Sequence, residues 1–182
     1  MNNTSSPGFT PVARILHWLM AVLIVAMLFI GVAMVSSIAA RPVLIDLHRP
    51  LGIAILLLAI VRLAYRLRHR PPALPADLPA WQAMAAHASH VLLYALMLAM
   101  PLIGWMMLSA GGYPVTLGGG LQLPPIAPHD ATLYAWLRDA HGWLAYLLFA
   151  VVLAHLSAAL FHHWVRRDGV LRSMIGGSRK TG

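Results

Sequence analysis

Four long apolar segments constrain the fold of this chain more than any other feature of its sequence. They cover about residues 14–38, 45–67, 87–110 and 134–165. A helix needs roughly 20 residues to cross a bilayer, and backbone polar groups inside a bilayer must be satisfied within the segment itself. The sequence therefore predicts an all-α fold, an integral membrane four-helix bundle that forms a single domain over residues 1–182 and has the lipid bilayer as its partner.

The composition excludes a soluble protein. Of the 182 residues, 60% are hydrophobic and 10% are charged, whereas soluble domains carry about 25% charged residues. The net charge of +8 does not indicate nucleic-acid binding, because the 13 lysines and arginines are spread between apolar segments rather than gathered on one face. We therefore expect no nucleic-acid partner. The chain contains no cysteine, which excludes thiolate-bound iron–sulfur clusters and covalent haem attachment.

The basic residues predict how the chain is oriented in the membrane. Arg41, Arg49 and Arg138 fall at one end of a four-span bundle, and the other ten fall at the end that carries both termini. Basic loops stay in the cytoplasm. We therefore expect a multi-pass membrane protein whose N- and C-termini are cytoplasmic. The ten residues are Arg14, Arg62, Arg66, Arg68, Arg70, Arg166, Arg167, Arg172, Arg179 and Lys180.

A cleaved signal peptide is the alternative reading of the first segment. Arg14 precedes an apolar run that ends in small residues at 37–40. That run is about twice the usual 7–15-residue length of the apolar region in a signal peptide. We therefore expect the first helix to be retained.

Four of the ten histidines fall at paired depths in the predicted spans. His48 and His141 lie toward the outer ends of their segments, and His17 and His155 lie toward the cytoplasmic ends. His141 and His155 are 14 residues apart, nearly four helical turns, so they share one helix face about 21 Å apart. This spacing suits two stacked haems. Two neutral imidazoles would bind the iron of each haem and make it six-coordinate, which suits electron transfer.

Further residues lie 14 positions from a histidine on the same helix face. Gly31 and Gly104 follow His17 and His90 at the depth of the outer haem, where a missing side chain lets a flat ring approach the backbone. Arg62 lies at the depth of the inner haem, where it could pair with a haem propionate. Plain helix packing is the alternative for each glycine. A zinc or copper transporter is the alternative for the histidines, but its two sites would lie about 21 Å apart with no intramembrane carboxylate or thiol between them.

With these histidines and their flanks, the chain resembles the bacterial cytochrome b561 family of di-haem membrane cytochromes. The residues that carry the resemblance are RILHW, RPVLIDLHRPLGIAILLLAIVRLAYR, HASHVLLYALMLAMPLIGW and DAHGWLAYLLFAVVLAHLSAALFHHWVRRDGVLRSM. The resemblance implies two non-covalent haems b, ligated by His17 with His155 and by His48 with His141. His87 or His90 remains an alternative to His17.

The resemblance also implies an activity. The compact chain is most similar to the stand-alone branch of the family, which oxidises periplasmic superoxide and reduces ubiquinone. The alternative is a haem b subunit of a larger hydrogenase or formate dehydrogenase, which would have a redox protein as its partner. Bis-histidine irons have no free coordination position, so substrates would exchange electrons at the haem edges.

Three further residues are candidates for contact with these substrates. Arg49 and Arg138 flank outer histidines and could attract an anion such as superoxide. Pairing with outer propionates, or with Asp46 and Asp139, is the alternative for both arginines. His162 lies seven residues after His155, on roughly the same face and nearer the cytoplasm, where it could donate a proton to a quinone. Contact with lipid headgroups is the alternative for His162.

Overall fold

Four long helices form the fold in the computed structural model, which describes residues 8–69, 71–75, 77–117 and 120–176. Each is long and apolar enough to cross a membrane, so the predicted four-helix membrane bundle is confirmed. The third helix begins well before the predicted residue 87. Arg70, Arg179 and Lys180 lie outside the described residues. The helices are α1 (Pro11–Ser36), α2 (Arg41–Arg68), α3 (Ala80–Ala110) and α4 (Ala131–Phe161).

Polar caps set the start of two of these helices. The Thr10 side chain accepts a hydrogen bond from the backbone N–H of Ala13, and Pro11 occupies the first turn of α1, where its missing N–H costs nothing. Asp130 caps α4 in the same way by accepting from the N–H of Leu133 at 2.8 Å. These short polar segments fix where two of the spans begin, and hence the depth of the histidines they carry.

The helices pack in chain order around a central apolar layer. α1 packs on α2, α2 on α3, and α3 on α4. The outward faces are apolar and exposed, as in Phe29 at 73% and Val35 at 84% exposure, which is the expected surface for contact with lipid. The residues that form the central layer are Met20, Ile24, Ile55, Ala59, Leu96, Met97 and Leu148.

The two ends of the bundle differ. At one end, which we call the hairpin end, strands β1 (Val115–Thr116) and β2 (Gln122–Leu123) pair antiparallel in the connection between α3 and α4. Val115 is 4% exposed, and the Trp105 indole donates to the carbonyl of Pro124, so the connection packs onto the bundle.

At the other end, which we call the terminal end, α4 continues into a π-helical turn (His162–Arg166) that is followed by a short helix α5 (Val170–Ile175). The Trp18 indole donates to the carbonyl of Met174 at 3.0 Å. This hydrogen bond fastens α5 across the end of α1.

Candidate functional site

The hairpin end holds one pair of histidines that face each other across the bundle. The ring centroids of His48 on α2 and His141 on α4 lie 6.2 Å apart, with an interplanar angle of 67°. The Nδ1 atoms of both rings are buried and make no hydrogen bond. The two rings thus face each other inside the bundle, at a separation that one metal ion bound between them would bridge.

The terminal end holds three histidines rather than two. His17 on α1 lies 6.4 Å from His155 on α4, centroid to centroid, and His90 on α3 lies 5.4 Å from the same His155 ring. His87, one helical turn before His90, is exposed. The structure therefore brings together the predicted pair and one of its two alternatives, and it leaves His87 outside this cluster.

The central apolar layer separates the two groups of histidines. Leu148 lies midway between His141 and His155 on α4 and is 8% exposed. Met20 and Ile55 lie within two turns of His17 and His48 and complete the layer from α1 and α2. A packed apolar layer thus lies between two sites about 21 Å apart along one helix. Such a layer opposes the passage of ions.

The arginine predicted at the depth of the inner haem, Arg62, lies directly beside the histidines of the terminal end, which we call the inner histidines. Arg62 donates a hydrogen bond from Nη2 to Nδ1 of His17 at 2.9 Å. Its guanidinium also lies 5.6 Å from the centre of the Tyr94 ring, and that of Arg66 lies 5.8 Å from it. Both arginines and Tyr94 line a cavity of about 390 Å³ that opens at the terminal end. This cavity is positively charged and adjoins the inner histidines.

The two glycines predicted to border the outer haem have different surroundings. A Cβ atom at Gly104 would stand 3.3 Å from Cε1 of His141, tighter than ordinary contact. A Cβ atom at Gly31 would meet nothing within 4 Å, so the α1 backbone borders open space. Gly104 thus lets the His141 ring approach α3 closely.

The residues present fit a b-type haem in each site. Two imidazoles on opposite sides of one iron have centroids about 6.3 Å apart, given bonds of about 2.0 Å to the metal and about 1.15 Å from nitrogen to ring centre. The His48–His141 and His17–His155 separations of 6.2 and 6.4 Å match this geometry. The 5.4 Å separation of His90 and His155 is too short for it.

The two candidate arginines at the hairpin end differ in their surroundings. Arg49 is half-buried, and its buried Nε atom makes no hydrogen bond. Arg138 is exposed and lies at an open groove with Trp143 and Tyr146. Within the part of the chain that the structure describes, neither arginine forms a salt bridge, so pairing with Asp46 or Asp139 is not observed.

At the terminal end, His162 has a partner that sequence reasoning missed. Its Nδ1 atom is hydrogen bonded to Oδ2 of Asp168, which also accepts from Nε of Arg166 at 3.3 Å. The backbone N–H of Val170 donates to the other carboxylate oxygen at 3.1 Å. Burial raises the pKa of Asp168, but these hydrogen bonds outweigh it and hold that pKa below its usual value.

Helical spacing could not have identified this contact. Asp168 follows the π turn, and the chain reverses there because Arg167 and Gly169 adopt left-handed conformations, with φ of 56° and 75°. The sequence did contain one signal of this reversal: a glycine, which favours left-handed turns, directly follows the only aspartate after His162.

Comparison with known proteins gives consistent matches over nearly the whole chain. A family model described as prokaryotic cytochrome b561 matches residues 8–177. A Yersinia pestis protein named probable superoxide oxidase CybB is 32% identical over 162 residues, which cover 88% of this chain and 91% of the relative. An Escherichia coli protein named cytochrome b561 homolog 2 is 27% identical over 188 residues, covering 98% and 97%. A Cereibacter sphaeroides protein named cytochrome b562 is 28% identical over 182 residues, covering 94% and 98%.

Proposed function

Because the chain belongs to the prokaryotic cytochrome b561 family, whose members bind b-type haem and transfer electrons in bacterial membranes, we propose that it is a superoxide:ubiquinone oxidoreductase. In this proposal, electrons enter at the hairpin end from superoxide and leave at the terminal end to ubiquinone. The observation that carries the proposal is the presence of two imidazole pairs, one at each end of a packed apolar layer.

The protein binds two haems b in this proposal, and each supplies a one-electron carrier when bound. His48 and His141 hold the outer haem, and His17 and His155 hold the inner haem. Gly104 and Gly31 leave space for the outer porphyrin, since neither presents a side chain there. A single domain, residues 1–182, binds both haems.

Arg62 has a specific part in binding the inner haem. An imidazole that binds iron through Nε2 carries its proton on Nδ1, so His17 can then no longer accept the hydrogen bond that Arg62 donates in this structure. Arg62 would then be free to hold a haem propionate, and Arg66, which lines the same cavity, would supply a second positive charge. The guanidinium offers two donors in a plane, which suits a carboxylate.

The hairpin end faces the periplasm and the terminal end faces the cytoplasm, with the protein in the inner membrane. The basis is the excess of basic residues at the terminal end, ten against three. Superoxide is an anion and therefore crosses an apolar layer poorly. Arg138, exposed at the hairpin end, and the half-buried Arg49 attract it toward the outer haem edge. The name of the Yersinia pestis relative supports this donor.

The function is tested by supplying superoxide to the purified haem-loaded protein and following the reduction of a short-chain ubiquinone. We expect a rate that falls as salt is added, because electrostatic attraction is screened within about 10 Å at 0.1 M ionic strength. In Arg49→Gln with Arg138→Gln, we expect a rate about tenfold lower at low salt and a much weaker salt dependence.

Arg68→Gln with Arg172→Gln is the matched control, since it also removes two positive charges, but from exposed positions at the terminal end. An unchanged rate and salt dependence in the double variant would refute the attraction. A haem-loaded protein that superoxide does not reduce, while a dehydrogenase partner does, would instead favour the role of an electron-transfer subunit.

His162 donates a proton to ubiquinone at the terminal end. Imidazole is the side chain that gains and loses a proton near neutral pH. The side chain of His162 is 17% exposed and lies about two helical turns beyond His155 on the same helix. We expect His162→Ala to slow ubiquinone reduction about tenfold to a hundredfold. Superoxide should still reduce both haems at the normal rate.

His163→Ala is the control for this variant, because His163 lies in the same π-helical turn and packs on Trp164. Equal losses in the two variants would contradict a specific role for His162. Loss of haem from His162→Ala would assign His162 to the structure of the site instead.

A further inference from the structure

The hydrogen-bonded group around His162 is the most organised polar cluster among the described residues, and the proposed function uses only one member of it. The side chain of Asp168 is 9% exposed, that of His162 17%, and that of Arg166 19%. Arg166 also donates to Asp77 at 2.8 Å, and the Asp77 side chain is 76% exposed. The cluster therefore runs from a nearly buried carboxylate to solvent.

The chain holds Asp168 in this position through three elements. The left-handed Arg167 and Gly169 turn the chain back after α4, and the N–H of Val170 binds the carboxylate at the start of α5. α5 is in turn fixed to α1 by the Trp18–Met174 hydrogen bond, and Ser173 on α5 is 1% exposed. A side chain held this firmly can orient the group that it contacts.

The geometry determines which nitrogen of His162 is left to act. Because Asp168 accepts a hydrogen bond from Nδ1–H, the second ring nitrogen, Nε2, remains for a substrate. An ionised carboxylate at Nδ1 also stabilises the imidazolium, the form that donates a proton from Nε2. Arg166 and the backbone N–H of Val170 keep Asp168 ionised, in agreement with its lowered pKa.

The charged groups around the pair come from each element packed against it. Arg166 of the π turn contacts Asp168 directly, and Asp77 of the α2–α3 connection reaches the cluster through Arg166. His163 is the next residue of the turn, α5 carries Arg172, and Arg14 of α1 lies against Gly176 at the end of α5. Among these described residues, Asp168 is the carboxylate that contacts His162.

We propose that Asp168 is the positioning residue that orients His162 and keeps it in the proton-donating form during ubiquinone reduction. This inference rests on the proposed function. Two superoxide ions each give up one electron and become O₂, and the quinone takes up both electrons and two protons to become the quinol. The Nε2–H bond of His162 breaks as one quinol O–H bond forms, and the imidazole regains its proton from cytoplasmic water. The second proton comes from water.

The test is Asp168→Asn, which keeps the size of the side chain and removes its charge. We expect about a tenfold fall in kcat for ubiquinone reduction at pH 7.5, with the pH of half-maximal rate about one unit lower than in the wild type. The haem content, the haem spectra and the rate of haem reduction by superoxide should not change. Asp168→Glu should restore most of the pH profile.

Two controls separate this role from a structural one. Asp77→Asn removes a carboxylate of the same cluster that does not touch His162, and it should leave the pH profile unchanged. In a His162→Ala background, Asp168→Asn should cause no further loss, because the group that it acts through is absent.

A wild-type pH profile in Asp168→Asn, or a loss of haem from that variant, would overturn the inference. So would additive losses in the double variant. Failure of the wild-type protein to pass electrons from superoxide to ubiquinone would overturn the proposed function instead, so the two failures are distinguishable.

Discussion

Replacing His141 by alanine should remove one of the two proposed haems and stop electron transfer through the protein. His141 is one half of the outer pair, and its ring faces that of His48 at a centroid separation of 6.2 Å. Without His141, only the imidazole of His48 on α2 would hold the outer haem, and α4 would no longer help to bind it. His48→Ala should have the same effect, because it removes the opposite imidazole.

The measurement is the ratio of haem to protein, together with the rate at which superoxide reduces the remaining haem. We expect the ratio to fall from two to one and the reduction rate to fall about 100-fold or more, a barrier increase of about 2.7 kcal/mol. The inner haem should remain, because its proposed ligands, His17 and His155, lie on the other side of the central apolar layer from His141.

His129→Ala is the matched control at the same end of the bundle. His129 is exposed in the connection before α4, and its ring lies beside Gly112. It should keep both haems and the full rate. If His141→Ala also kept two haems, the assignment of the outer pair would be wrong.

The sequence predicted the bundle and the depth of its histidines because both depend on the regular geometry of a helix. A spacing of 14 residues is nearly four turns wherever the helix lies, so His141 and His155 could be placed on one face before any packing was known. The same rule placed Arg62 at the inner level, and the structure puts it at 2.9 Å from His17.

The contacts that the sequence did not predict depend on how the helices end and how they pack. The reversal at Arg167 and Gly169 brings Asp168 back to His162, and no helical period describes a left-handed turn. The approach of His90 to His155 depends on the packing of α3 against α4. Gly104 was placed by its distance from His90, but the ring that it accommodates is that of His141.

The three histidines at the terminal end leave open whether His17 or His90 binds the inner haem together with His155. Substitution of His17 and of His90 will answer this question. His155 is common to both possible pairs, so His155→Ala should lose the inner haem in either case and serves as the reference. We expect His17→Ala to lose the inner haem as well, with the haem-to-protein ratio falling from two to one. We expect His90→Ala to keep both haems.

The physical reason is the space between the rings. An iron with an imidazole on each side needs centroids about 6.3 Å apart, and His17 and His155 are 6.4 Å apart. His90 is only 5.4 Å from His155 and meets it nearly edge to face, at 72°. For His90 to be the ligand, α3 would have to move away from α4, the helix against which it packs.

Reduced-minus-oxidised spectra and haem counting on the three variants will distinguish the pairs. Retention of two haems in His17→Ala with loss of one in His90→Ala would make His90 the ligand. Arg62→Gln tests a separate part of the inner haem site, because Arg62 gives up its hydrogen bond to His17 when His17 binds iron. We expect this variant to bind the inner haem about tenfold more weakly, whichever histidine binds the iron, since it removes the cation proposed to pair with a propionate, while the outer haem stays fully bound.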